Sequence, residues 1–154
     1  MNIVRTSEMQ WGEGMNKGQY VQRRKALGGK NLSCGLWELA PGKKSFPFHM
    51  HHVTEEAMFV ISGTAKIRTK DGMHAIGPGD FVSFPPADGA HQLINDGTEP
   101  LVYFAASAPK GMDIVEYPDS EKTASVVGFP PDAKRFMFNK SGAAQYFDGE
   151  KDAE

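Results

Sequence analysis

Between residues 31 and 108 the chain alternates short apolar runs with polar punctuation, and the runs read as strands: Leu32–Leu39, Ala57–Ile61, Ala65–Arg68, Phe81–Phe84, His91–Ile94 and Leu101–Ala105. The punctuation is Pro41-Gly42, Ser62-Gly63, Asp71-Gly72, Gly77-Pro78-Gly79-Asp80, Pro85-Pro86, Asp88-Gly89 and Asp96-Gly97. Each pair supplies a residue with fixed φ, a residue free to take positive φ, or a side chain that hydrogen-bonds its own backbone. A strand and a turn about every ten residues predicts an all-β sandwich or barrel. Residues 1–30 lack a sustained period and predict an irregular N-terminal arm. The cluster Gln22-Arg23-Arg24-Lys25 within it reads as a solvated face, not a phosphate site. Residues 109–154 predict a C-terminal extension with an acidic end, in which Arg135-Phe136-Met137-Phe138 adds one strand, 141–147 forms a short helix, and the last half-dozen residues are mobile.

Composition narrows the function classes. The 154 residues carry a formal charge of -2, so no basic field exists to hold a polyanion, and nucleic acid is excluded as an expected partner. One cysteine, Cys34, cannot form an intramolecular disulfide and reads as a small buried hydrophobe. No run reaches the ~18 apolar residues of a membrane span, and nothing at the N-terminus resembles a signal peptide, so a cytoplasmic location is expected.

The candidate chemistry is concentrated in one stretch. Three of the five histidines, His49, His51 and His52, fall within four positions, followed by Glu55 and Glu56. Residues two apart on a strand share a face, so His49 and His51 can converge on one ion while His52 points away; a one-residue slip would exchange them. Alternation puts Glu56 on the face of Met58 and Val60 and turns Glu55 outward. His91 opens a later strand and could bring a third imidazole across a closed barrel. His52 and His74 read as surface polar residues. If Met58, Leu93 and Tyr103 face inward, the pocket is mostly apolar and suits a modest organic substrate better than a polyanion.

The order Pro47-Phe48-His49-Met50-His51, then Glu56 and Gly63, followed by Gly77-Pro78-Gly79-Asp80, Pro85, His91 and Asn95, resembles both sequence motifs of the cupin superfamily. The second motif carries one extra residue between Pro85 and His91. Tyr117-Pro118-Asp119-Ser120 and the 146–150 segment look like small single-domain bacterial cupins of the cupin 2 type. The resemblance implies a double-stranded β-helix, or jelly-roll barrel, with irregular N- and C-terminal extensions. It also implies that His49, His51, Glu56 and His91 bind one divalent transition metal inside it. Three imidazoles and a carboxylate suit Fe, Mn, Ni, Co, Cu or Zn. The family includes dioxygenases, decarboxylases, lyases and sugar-phosphate isomerases, so a metal-dependent enzyme acting on a small molecule is expected. A non-catalytic small-molecule or sugar-binding cupin is the alternative. Tyr103 is the candidate proton carrier, and a homodimer is expected because the arms are free to cover exposed sheet edges.

Overall fold

The computed structural model of the chain describes residues 3–29, 31–129, 132–142, 144–146 and 148. Thirteen strands are described: β1 (Gly12–Lys17), β2 (Tyr20–Ala26), β3 (Ser33–Leu39), β4 (Met50–His51), β5 (Glu55–Ser62), β6 (Ala65–Thr69), β7 (Gly72–Ile76), β8 (Phe81–Phe84), β9 (Gln92–Ile94), β10 (Leu101–Ala108), β11 (Met112–Tyr117), β12 (Lys122–Val127) and β13 (Lys134–Asn139). They pair antiparallel in three sheets, ordered β1-β2-β3-β10-β5-β8, β13-β12-β11-β4 and β7-β6-β9. The result is an all-β jelly roll. No helix among the described residues is long and apolar enough to cross a membrane.

Alternation explains the core. In β5, Met58 and Val60 are buried while Phe59 and Ile61 face out, and the inward pair packs with Leu39, Leu93, Leu101 and Tyr103. Turn chemistry closes the edges. Gly63 has φ +79°, and a Cβ there would lie 2.4 Å from the Pro100 carbonyl oxygen, so only glycine fits between β5 and β6. Asn95 is fully buried: its Nδ2 donates to the Leu39 and Glu99 carbonyls at 3.0 and 2.9 Å, and its Oδ1 accepts from the Gly97 N–H at 3.0 Å. That side chain is the buried brace of the turn leading to β10.

Both terminal segments are more regular than the sequence suggests. The expected irregular arm contains the hairpin β1–β2, which continues the sheet through β3. Its periodicity is hidden because the inward residues of β2 are Gln22 and Arg24, not apolar ones. The expected irregular extension contains β11, β12 and β13, with the expected strand at 135–138 lying inside β13. At the expected short helix, only a 3-10 turn at Lys140–Gly142 is described; Phe147 and the acidic tail from Gly149 lie outside the described residues. The extension has its own small core of Val115, Tyr117 and Ala124, and β11 pairs with β4, placing Val115 opposite His51. The strand that carries a candidate ligand is therefore held by the extension.

Candidate metal centre

His49 and His91 are positioned by the backbone. The His49 N–H donates to the His91 carbonyl at 3.2 Å and the His91 N–H donates back at 2.9 Å. Residues so paired across antiparallel chains present their side chains on one face, and the two rings lie 4.7 Å apart, centroid to centroid. His51 follows two residues after His49, and its ring centroid is 5.2 Å from that of His49. Glu56, on the inner face of β5, completes the cluster. Its Oε2 lies 3.8 Å from His49 Nε2, 3.5 Å from His51 Nε2 and 3.5 Å from His91 Nε2. One ligand atom each from His49, His51 and Glu56 fall within 4.8 Å of one another.

Every Nδ1 of the three imidazoles is committed elsewhere. His49 Nδ1 donates to the Pro47 carbonyl at 2.8 Å, and His91 Nδ1 donates to the Gly89 carbonyl at 2.7 Å. His51 Nδ1 donates to Asp113 Oδ2 at 2.5 Å. A carbonyl or carboxylate can only accept, so each neutral ring carries its proton on Nδ1 and turns the Nε2 lone pair toward Glu56. Burial pushes His49 down to about 3, with further lowering from the neighbouring His91 and His51; burial also lowers His91, against the opposing pull of Glu56. Three lone pairs facing a carboxylate repel one another unless a cation lies among them. The donor set thus fits a divalent transition metal, and His49, His51 and Glu56 could hold such an ion.

The lengthened turn before His91 has a clear role. Ala87, at φ 63°, donates its N–H to the His51 carbonyl at 2.8 Å, and Gly89 supplies the carbonyl that orients His91. Phe84 stacks on the His91 ring, 3.6 Å between centroids and 10° between planes. On the other side Tyr117 stacks on His49 at 6.1 Å, so the extension contributes a wall of the site.

The cluster opens into a cavity of about 710 Å³, which Met58, Leu93 and Tyr103 line as the sequence predicts. Tyr103 is buried, and its hydroxyl donates to Gln22 Oε1 at 3.1 Å. Burial and the Glu56 charge raise its pKa, so the phenol keeps its proton through neutral pH and acts as a donor, not a base. His52 turns away from the cavity toward Glu116, 3.0 Å distant, and His74 lies against Thr69 on exposed β7. No register slip occurs. Cys34 is half-buried and lines the cavity instead of lying in the core.

Two kinds of residue escape sequence reading. Asp113 of β11 is 5% exposed; burial opposes its ionisation, yet hydrogen bonds from His51, Thr54 and the Val53 N–H more than compensate and hold its carboxyl below the usual range. It lies 62 residues from the ring it orients. The second kind is the basic wall of Arg24, Lys110, Lys122 and Arg135, which adds cationic groups to a cavity whose lining is otherwise mostly apolar, as expected from the strands. For Arg24 a signal did exist: in β2 it lies two residues from buried Gln22 and so shares its inward face.

Comparison with known proteins agrees with this fold. The family model for the cupin domain matches residues 35–107, which include all four metal-ligand candidates. The chain carries a cupin domain. A crystal structure of a proposed sugar phosphate isomerase from Acidithiobacillus ferrooxidans is 28% identical, with a TM-score of 0.80 over 93% of this chain and 95% of that one. A sugar phosphate isomerase of the cupin superfamily from Silicibacter pomeroyi, 20% identical, gives a TM-score of 0.78 over 96% and 98% of the two chains. A polyketide cyclase from Streptomyces resistomycificus, 20% identical, covers 71% of this chain and 79% of its own, with a TM-score of 0.59. No curated protein matches the sequence. The two structures named as sugar phosphate isomerases cover 93% and 96% of this chain, whereas the cyclase covers 71%.

Proposed function

We propose that this cupin is a metal-dependent enzyme of the sugar-phosphate isomerase type, acting on a small polyhydroxylated substrate in the barrel. His49, His51, Glu56 and His91 hold one divalent transition metal. The observation that carries this reading is the approach of three Nε2 lone pairs to a single Glu56 oxygen, with each opposite ring nitrogen already donating. Bound there, the ion would polarise a carbonyl and its neighbouring hydroxyl, acidifying the C–H of the hydroxyl-bearing carbon.

The chain's own residues do the remaining work. Asp113, Pro47 and Gly89 fix the ligand rings; Tyr103 donates a hydrogen bond and retains its proton. Phe84 and Tyr117 flank the imidazoles and exclude water from two sides. The likeness in extent to the Acidithiobacillus ferrooxidans protein supports the isomerase assignment over the dioxygenase, decarboxylase and lyase chemistries that the fold also hosts.

Elemental analysis of the purified protein against His49→Ala tests the metal: about one ion per chain is expected, lost in the variant. Incubating the metal-loaded protein with aldose and ketose phosphates in deuterated water tests the reaction, since isomerisation by proton transfer exchanges a carbon-bound hydrogen. Binding without exchange or interconversion would make the protein a sugar-binding module instead.

The proposed macromolecular partner is a second copy of the chain. β13 lies at the open edge of its sheet, and Phe136, Met137 and Phe138 on it are each about half exposed.

A further inference from the structure

We infer that Arg24, with the indole N–H of Trp37 beside it, forms a subsite for an anionic phosphoryl or carboxylate group of the ligand, separate from the metal ligands. The inference deepens the proposed function, on which it rests for its setting, but it does not depend on the ion. The sequence places Arg24 here by alternation. Arg23 faces solvent and pairs with Glu38 at 2.6 Å, and the Lys25 ammonium donates to the Thr6 carbonyl at 2.8 Å. Arg24, between them, turns inward to the cavity that holds Glu56 and the three imidazoles.

Its guanidinium is placed but not satisfied. It lies 5.0 Å from the centroid of the Trp37 ring, and Nη2 donates to the Cys34 carbonyl at a long 3.4 Å. Nε is buried with no acceptor, and no carboxylate of the described residues pairs with the side chain. A buried N–H without a partner is costly, and a cation without a counter-ion is more so. Gly35 on β3 permits this close placement: a Cβ there would sit 2.9 Å from Arg24 Nε and 3.2 Å from both Trp37 Nε1 and the Lys25 carbonyl, so the guanidinium and the indole can lie against the strand only because no side chain stands there.

The wider wall has the matching sign. Lys110, Lys122 and Arg135 line the same cavity, where Glu56 and Asp113 are the acidic residues. Arg135 is aimed by the hydrogen bond from its Nη1 to the Tyr117 hydroxyl at 2.7 Å. With neutral imidazoles the protein groups around the cavity carry an excess of positive charge before any metal is added. A planar guanidinium offers a paired set of N–H donors that fits phosphate and carboxylate oxygens, and a neighbouring indole N–H adds a third. A neutral sugar would leave that charge uncompensated.

The test titrates inorganic phosphate, and acetate separately, into the full-length protein, both metal-loaded and stripped with chelator, following Trp fluorescence and calorimetric heat. Saturable phosphate binding that survives stripping is expected. It should weaken about ten-fold or more in Arg24→Met. Gly35→Ala, which keeps every charge but crowds the guanidinium, should weaken it as well, and Arg23→Ala should leave it unchanged. If Arg24→Met fails to fold, Gly35→Ala carries the comparison. Acetate binding in place of phosphate, with the same response to the variants, would assign a carboxylate ligand to the subsite. Phosphate binding that is indifferent to both variants, or that vanishes with the metal, would overturn the subsite while leaving the metal centre standing. Retained phosphate binding in a protein that never takes up metal would overturn the enzyme reading and leave the subsite.

Discussion

Asp113→Asn is the most informative single substitution, because it alters one atom in a residue that bears on the candidate metal site through the His51 ring. In the native protein Oδ2 accepts from His51 Nδ1 at 2.5 Å and Oδ1 accepts from the Val53 N–H at 3.0 Å. An asparagine can satisfy only one of these. With its oxygen toward His51, its NH2 meets the Val53 N–H donor to donor. With its NH2 toward His51, the ring must shift its proton to Nε2 and can no longer present a lone pair to an ion. Partners of this kind are worth about 10–100-fold in metal affinity, or ~1.4–2.7 kcal/mol. The lost backbone hydrogen bond should separately reduce apo-protein stability by about 1–3 kcal/mol. Competition with a fluorescent chelator would measure the first effect and thermal unfolding of stripped protein the second. Glu116→Gln, which disturbs the outward His52 contact and the Lys140 ion pair, should leave metal affinity unchanged. Equal affinities for wild type and Asp113→Asn would refute the claim that the extension orients His51.

Three further outcomes follow from other parts of the molecule. Gly63→Ala should cost about 2 kcal/mol or more, because it forces a left-handed backbone and a clash with the Pro100 carbonyl; a thermal midpoint within one degree of wild type would contradict this. Asp119 is held below the usual carboxylate range chiefly by its hydrogen bond from Arg68, so it contributes stability above its unfolded pKa and loses that contribution as pH falls through the folded value. Since the pair is largely exposed, Asp119→Asn should cost under about 1 kcal/mol at pH 7, with the difference fading below about pH 4, as read by denaturant titration at several pH values. Sedimentation at micromolar concentration should show a dimer that Phe138→Glu dissociates; a monomer near 16.9 kDa in the wild type would remove the second copy as partner.

The legible strands are those whose inward residues are apolar. Met58 and Val60 in β5, Ala65 and Ile67 in β6, and Leu101 and Tyr103 in β10 alternate with exposed or half-buried neighbours, and their runs match the observed strands closely. The ligand candidates are legible for the same reason, since the two-residue spacing of His49 and His51 has one geometric meaning on extended chain. Illegible are the strands whose inward face serves the cavity or the rings. β2 turns Gln22 and Arg24 inward, and β11 turns Asp113 inward beside Val115 and Tyr117. Polarity that lines a site looks, in sequence, like polarity that faces water. Asp113 adds a second obstacle: its partner is remote in the chain and is found only once β4 and β11 are seen to pair.

β4 is only two residues long, and its neighbour in the sheet is β11. A cation gripping His51 on that strand would tie the C-terminal sheet to the jelly roll, so any fluctuation that peels the sheet away must first surrender the ion. The free energy of coordination is then spent locally, as reduced breathing of the last third of the chain. Amide exchange should slow on loading in β11 and β12 and remain as before in β6 and β7, the mark of a cofactor that also serves as a clasp.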